Sequence, residues 1–248
     1  MDLVALIGIC IAFIAILGGN FLEGGQLAAL LNTPALLIVL GGTLGAVILQ
    51  TPLARLIHAL KIVRWILLPP RPDVTAGIQK MMLWSATARR EGLLGLERIL
   101  ETETDSFSHK ALELLVDGGE SQVIRHVMES ELDARENKDI AAAHVYKSMG
   151  GYAPTIGIIG AVLGLIQVMT NLADPSALGA GIATAFVATI YGVGFANLLF
   201  LPLADRLVSQ TGRVSAYQAM IIEGVLAIAE GEHPRSIELR LRAFGENY

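Results

Sequence analysis

The residues of this chain that could do chemistry fall into two sets. In its long apolar stretches they are hydroxyls and amides: Thr155, Gln167, Thr170, Thr184, Thr189, Tyr191 and Asn197. Such groups can bind water, a cation or a partner's side chain, but they cannot carry a proton as charge. No Asp, Glu, Lys, Arg or His lies inside those stretches, since Asp2, Glu23, Asp174 and Asp205 sit at ends or connections. A pump or transporter normally keeps an ionisable group at depth. An ion path here would therefore need its titratable group from another polypeptide; without one, the polar residues only join helices. The histidines, His58, His109, His126, His144 and His233, are scattered. With no H-E-x-x-H and no Cys/His cluster, no metal site is expected. No nucleophile–base set can be assembled either, so neither an enzyme nor a cofactor is expected.

The elements that must position these groups are membrane helices. The chain has 248 residues, 53% of them hydrophobic, and a mean hydropathy of +0.58. That is high for a soluble domain. A bilayer core takes about 20 apolar residues per helix, and four stretches qualify: Leu3 to Leu22, Pro34 to Leu49, Tyr152 to Ala173, and Leu178 to Leu203. The first lacks a basic leader and a small-x-small cleavage site, so it is expected to be retained. The net charge of −5 argues against a nucleic-acid partner. Cys10 is the single cysteine and cannot form an intrachain disulfide. All 18 Lys and Arg fall in two blocks, 13 in residues 52–148 and 5 in residues 205–248. The positive-inside rule then places both blocks and both termini in the cytoplasm. The expected fold is all-α and polytopic: residues 1–51 carry two spans, 52–148 a helical cytoplasmic domain, 149–204 two further spans on the ion-path side, and 205–248 a helical cytoplasmic tail.

"GGTLG" and "GIIGAVLG" have the glycine content of phosphate-binding loops but lie inside apolar runs with no strand before them. Gly41/Gly45, Ala153/Gly157/Ala161 and Gly160/Gly164 read instead as small residues for close helix packing. In "RLIHALKIVRWILLPPRPD", Arg55, His58, Lys61 and Arg64 recur among leucines. This is a basic amphipathic helix, lying on the inner membrane surface or packed on neighbours with a solvated basic edge, and Pro69, Pro70 and Pro72 stop it. Asp73 should cap the next helix, and Ser106 or Ser108 the one over "HKALELLV". Asp117-Gly118-Gly119 should turn the chain into a long helix that runs from Glu120 toward the third span. Around "ARREGLLGLERILETETD", basic Arg89 and Arg90 precede acidic Glu97, Glu101, Glu103 and Asp105. Such a bipolar surface suits an electrostatic partner, although most charges of this segment form a solvated face.

Three segments, "GGYAPTIGIIGAVLGLIQVM", "LADPSALGAGIATAFVATIYGVGFANLLFLPLADRL" and "IAEGEHPRSIELRLRAF", resemble the MotA/PomA family, the A subunits of the bacterial flagellar stator, and the MotC-type members most. "IGGTLGA" and "ARREGLLGLE" extend the likeness over nearly the whole chain. TolQ and ExbB share the ion-channel core but have three spans where this chain has four. The resemblance implies a membrane ring, a homopentamer, around two helices of a MotB/PomB-like B subunit that owns the ion-binding aspartate. Ion flow would turn the ring, and its cytoplasmic part would drive the rotor protein FliG. Matched by motif, Pro154 and Pro202 become the two prolines that couple ion flow to movement. Arg89 and Glu97 become the charged pair for FliG, with Arg90 as an alternative to Arg89. Thr189 becomes the hydroxyl facing the ion site, with Thr155 and Ala161 on the same path. Ala161 stands where sodium-type members have a second threonine. Na⁺ must replace its hydration shell with oxygens, so the expected ion is H⁺, with Na⁺ as the alternative. A bacterial inner-membrane location in contact with lipid follows. A TolQ/ExbB-like energiser and a passive membrane scaffold remain the competing readings.

Overall fold

The structure is a computed structural model and describes residues 3–25, 27–171 and 175–245. Expectations that fall on Asp2, Ala173 and Asp174 lie outside the described residues. Among the described residues there are only helices and turns. Nine helices carry the description: α1 (Leu3–Leu22), α2 (Thr33–Gln50), α3 (Leu53–Ile62), α4 (Val74–Glu91), α5 (Ser106–Val116), α6 (Ser121–Thr170), α7 (Pro175–Phe195), α8 (Leu201–Ala229) and α9 (Pro234–Gly245). Residues in Thr33–Gln50, Ser121–Thr170 and Leu178–Ala229 form helices long and apolar enough to cross a membrane. The 20 residues of α1 contain no charge and rise about 30 Å, the thickness of a bilayer core.

The contacts divide the chain into two units, one of residues Met1–Pro69 and Asp139–Val208, the other of Pro70–Lys138 and Ser209–Tyr248. In the first unit, the later part of α6 and α7 approach backbone to backbone. A Cβ on Gly164 would stand 2.7 Å from the Gly181 carbonyl oxygen, and one on Gly157 would stand 2.9 Å from that of Ala188. Gly192 is equally close to the carbonyl of Ala153, at 2.6 Å. The packing role expected of Gly157, Gly160 and Gly164 is therefore met. That of Gly41 and Gly45 is not: nothing lies within 4 Å of a Cβ on either, and Gly42 instead faces Ile156 at 2.7 Å. The reason is rotation. A five-residue π-helical turn, Leu37–Gly41, widens α2 and turns the next glycine toward α6. Ala35 and Val39 of α2 then pack against Val187 and Ala188 of α7.

The basic helix α3 packs on its neighbours through buried Ala59 and Ile62, and the Tyr146 hydroxyl donates to the Ala59 carbonyl at 3.0 Å. Arg55, Lys61 and Arg64 stay exposed, as do Leu53 and Leu60. His58 leaves the basic row and pairs with Asp139 of α6 at 2.5 Å.

In the second unit, Met81 and Trp84 of α4, Phe107 and Leu112 of α5, Ile124 and Met128 of α6 and Met220 and Leu226 of α8 form the core. Asp73 caps α4, accepting from the Ala76 amide at 2.9 Å. The cap of α5 is Asp105, which accepts from the Ser108 amide at 2.8 Å. Neither Ser106 nor Ser108 takes that place. Ser108 is fully buried inside the first turn, and a carboxylate accepts from helix N–H groups more strongly than a hydroxyl. Gly118, at φ +71°, makes the turn into α6.

Crowding at the glycine seam gives a contrast that mutagenesis can read. Gly164→Leu should drive a side chain into the α7 backbone and destabilise the protein by about 1–3 kcal/mol or more. Gly45→Ala, whose methyl meets nothing, should stay within about 0.5 kcal/mol of wild type. Thermal melting of the detergent-solubilised protein checks both, and equal effects would mean the seam is not tight.

Candidate functional site

The membrane candidates are placed by the α6–α7 seam. On α7, Gly181, Ala185, Ala188 and Gly192 face α6, while Val187 and Tyr191 face α2. At 100° per residue, Thr189 therefore lies on the flank of the seam turned away from α2, where it is exposed. On α6, Ile156 and Gly160 touch α2 at Gly42 and Ile38. Ala161 falls on the opposite flank, the same side as Thr189, whereas Thr155, two residues before Gly157, lies on the face of α6 turned away from the seam. The helices run antiparallel with Gly157 and Gly160 level with Ala188. Thr189 thus lies between Thr155 and Ala161 in depth.

Both threonine hydroxyls bond to their own helix. Thr189 donates to the Ala185 carbonyl at 3.3 Å and Thr155 to that of Tyr152 at 2.8 Å. Each oxygen then offers lone pairs outward and no proton. It is an acceptor, suited to a water, a cation or a protonated carboxyl group. Ala161 adds no polar atom.

Other polar residues of the apolar stretches are structural. Tyr191 donates to the Leu30 carbonyl and accepts from the Asn32 amide at 3.3 Å. The Asn32 side chain caps α2 through the Ala35 amide at 2.9 Å and donates to Thr184 at 3.0 Å. Sequence reasoning missed Asn32; its position just before Thr33-Pro34 is the cap-then-proline signal of a helix start. Asn197 and Asn171 bond carbonyls one turn back, at 2.9 and 2.8 Å.

Pro154 does not stand at a helix entrance. It lies inside the 50-residue α6. Its ring leaves the Gly150 carbonyl without its i+4 donor. Pro202 is the second residue of α8, directly after the π-helical turn Ala196–Phe200, where the Leu201 amide bonds the Ala196 carbonyl. The wider turn accommodates the missing donor. Gly150 packs against Leu201, and Gly192 against Pro154. Pro202 therefore lies about a helical turn or more beyond Pro154 along the pair.

In the second unit, α4 ends at Gly92, whose φ of +75° ends the helix. Arg89 and Arg90 occupy the last turn, and Glu97 follows fully buried Leu96 and is exposed. Arg90 is engaged locally, donating to Glu91 at 2.6 Å, while Arg98 reaches the same carboxylate at 2.7 Å. The Arg90 guanidinium, with Arg98 beside it, holds the Glu91 carboxyl below its ordinary range. Of the acidic cluster, Glu103 pairs with Lys80 at 2.8 Å and Asp105 is a helix cap. Among the described residues, Arg89 and Glu97 are exposed charges with no ion-pair partner. Arg89 also lines a cleft of about 310 Å³ with Ser85, Leu93 and Glu232. No group of three or more His, Cys, Asp or Glu that could hold a metal occurs among the described residues.

Residues 99–220 match the MotA/TolQ/ExbB proton channel family, and residues 6–92 match the motility protein A N-terminal family. The chain is 36% identical to Motility protein A of Bacillus subtilis (strain 168), over 97% of this chain and 90% of that one. It belongs to the MotA/PomA family. It is also 30% identical to Chemotaxis protein PomA of Vibrio alginolyticus, over 98% of this chain and 95% of that one. Among solved structures it matches C. jejuni MotAB with a TM-score of 0.92 and 31% identity, covering 98% of this chain and 96% of that one. The flagellar MotAB stator complex from Bacillus subtilis matches with a TM-score of 0.86 and 35% identity, covering 95% and 92%. MotA/PomA proteins are membrane ion-channel subunits of the flagellar stator and not enzymes, and the helices found here fit that class.

Asn32 tests how the α1–α2 connection is held. Asn32→Ala removes a helix cap, which costs about 1 kcal/mol, and strips Thr184 of its donor. The melting temperature of the solubilised protein should fall. An unchanged melting temperature would show that Tyr191 alone holds the connection.

Proposed function

We propose that this chain is the A-type subunit of a proton-driven flagellar stator. In this reading it oligomerises as a pentameric ring around a dimer of a B subunit, in the bacterial inner membrane, with both termini in the cytoplasm. The observation that carries the reading is a pairing of absence and presence. The four apolar stretches contain no Asp, Glu, Lys, Arg or His, yet Thr189 offers an outward-facing acceptor on the flank of α6–α7 away from α2. A carboxylic acid on a partner helix has the matching donor when protonated. Losing the proton breaks that hydrogen bond, so the partner's protonation state and its docking on this flank become coupled. With Ala161 beside it, the site supplies too few oxygens to replace a sodium hydration shell, and this supports H⁺ over Na⁺.

Pro154 and Pro202 would then be the compliant points of α6 and α8 through which a change on that flank alters the helices. At the cytoplasmic face, the reading assigns the FliG contact to Arg89 and Glu97. Arg90 is a weaker candidate, since Glu91 already neutralises it. The positive-inside asymmetry supports the orientation, and the names of the matched structures support the B subunit.

The site is tested by Thr189→Val, which keeps the shape and removes the acceptor. Rotation should stop while the oligomer and its B subunit still assemble. Motor speed in wild type should collapse with a protonophore and ignore replacement of Na⁺ by K⁺. Normal motility of Thr189→Val would favour a passive scaffold, and speed that rises with external Na⁺ at a fixed proton gradient would overturn the choice of ion.

The rotor contact is tested by charge reversal. Arg89→Glu and Glu97→Lys should each lower torque and stator recruitment, because complementary surface charge mainly sets association. Arg90→Glu should have the smaller effect on recruitment. Equal losses for all three would place Arg90 in the contact as well, and no loss in Arg89→Glu and Glu97→Lys would remove those two from it.

A further inference from the structure

We propose that the outer face of α3 is a docking surface for an anionic phospholipid bilayer, with its leucines at the acyl boundary and Lys61 and Arg64 on the phosphates. This requires only that the chain span a membrane, and it holds whether or not the chain is a stator subunit. Helix α3 has two faces. Ala59 and Ile62 are buried against Val145 and Tyr146 of α6, with Leu56 and Val63 half-buried beside them. On the other side Leu53 is 72% exposed, Ile57 46% and Leu60 71%. At 100° per residue these three and Lys61 fall within about 100° of arc, turned away from Ala59 and Ile62. Arg64 is exposed in the 3₁₀ turn Val63–Ile66 that follows. Thr51 and Pro52 alone separate α3 from the end of α2 at Gln50. The helix therefore begins where a membrane helix ends, at the depth where head groups meet acyl chains.

Charge selects the occupant. From Thr51 to Pro72 the chain carries Arg55, Lys61, Arg64 and Arg71 and no Asp or Glu. Elsewhere bases pair within the fold, as Lys80 does with Glu103, Lys110 with Glu131 and Arg125 with Glu223. His58, on the inner side of α3, pairs with Asp139. Lys61 and Arg64 are exposed and have no ion-pair partner among the described residues. A face that mixes leucine with unneutralised bases complements a surface of phosphates over hydrocarbon. A free phosphate would satisfy the bases and leave the leucines in water. The α3 of a second copy would cover the leucines but set like charges against each other.

Spin labels distinguish lipid, water and protein at a single position. Cys10→Ala removes the one native thiol, and Leu53→Cys or Leu60→Cys then places a nitroxide on the outer face. The protein, purified from membranes in its native assembly, is reconstituted in phosphatidylcholine vesicles with or without phosphatidylglycerol. Oxygen, which enters hydrocarbon, and a water-soluble nickel chelate compete to relax the label. With phosphatidylglycerol present both labels should favour oxygen, and in pure phosphatidylcholine the chelate should gain access. Salt at about 1 M should act like the loss of phosphatidylglycerol, because it screens the attraction. Lys61→Gln and Arg64→Gln should each weaken the dependence on phosphatidylglycerol. Each should also lower the ratio of phosphatidylglycerol to phosphatidylcholine retained after a detergent wash, read by native mass spectrometry, by about fivefold, the effect of one basic group near a membrane surface. Access of the chelate to both labels in phosphatidylglycerol vesicles leaves the face in water and overturns the proposal. Exclusion of both reagents makes the face a contact with protein and overturns it too. Equal access in the two kinds of vesicle, unchanged by the glutamine variants, removes the anionic head and overturns it as well.

Discussion

The membrane part of this chain depends on the contact of two backbones. Gly157 and Gly164 of α6 meet Ala188 and Gly181 of α7 at distances where no other side chain fits. In lipid there is no hydrophobic drive to bring helices together. Close approach, with the dispersion and weak hydrogen bonding it permits, is what holds them. The same contact fixes rotation. Once Gly157 and Ala188 are seated, α2 can pack on only one side, through Val39 and Gly42, and Thr189 and Ala161 are left on the other.

Polar satisfaction follows the same economy. Thr155, Thr170, Thr184 and Thr189 each donate to a carbonyl three or four residues back. These bonds remove donors that lipid cannot satisfy while leaving acceptors outward. A helix pair built this way can sit beside a titrating group without owning one. Asn32 and Tyr191 do the opposite: they use up their polar atoms in holding the connection between α1 and α2.

The cytoplasmic unit manages charge by internal pairing. Lys80 with Glu103, Lys110 with Glu131, and Arg125 and Arg240 with Glu223 tie helices together. Exposed pairs of this kind contribute little stability singly, but they remove charges from the set that a partner could use. Around Gly92, Glu91 pairs with both Arg90 and Arg98, while Arg89, Glu97 and Glu101 are exposed without an ion-pair partner among the described residues.

Much of this could be read from the chain because it depends on local chemistry. Hydropathy gave the long apolar helices, and Asp73 before "VTAGIQKMM" gave a helix cap, since the capping carboxylate and the amide it receives are three residues apart. The motifs that resemble MotA/PomA gave the family. What failed were the choices between near neighbours. Ser106 and Ser108 lost to Asp105 because charge decides among adjacent caps. Gly41 and Gly45 lost to Gly42 because the π-helical turn, invisible in composition, rotates α2. The pairing of His58 with Asp139, 81 residues apart, had no local signal at all. The sequence by itself determined which residues are apolar, which are charged and which elements they form, because those depend on side chains and their immediate neighbours. The tertiary structure alone decided which glycines touch, which hydroxyls face outward and which charges remain unmatched, because those depend on the rotation of one helix against another.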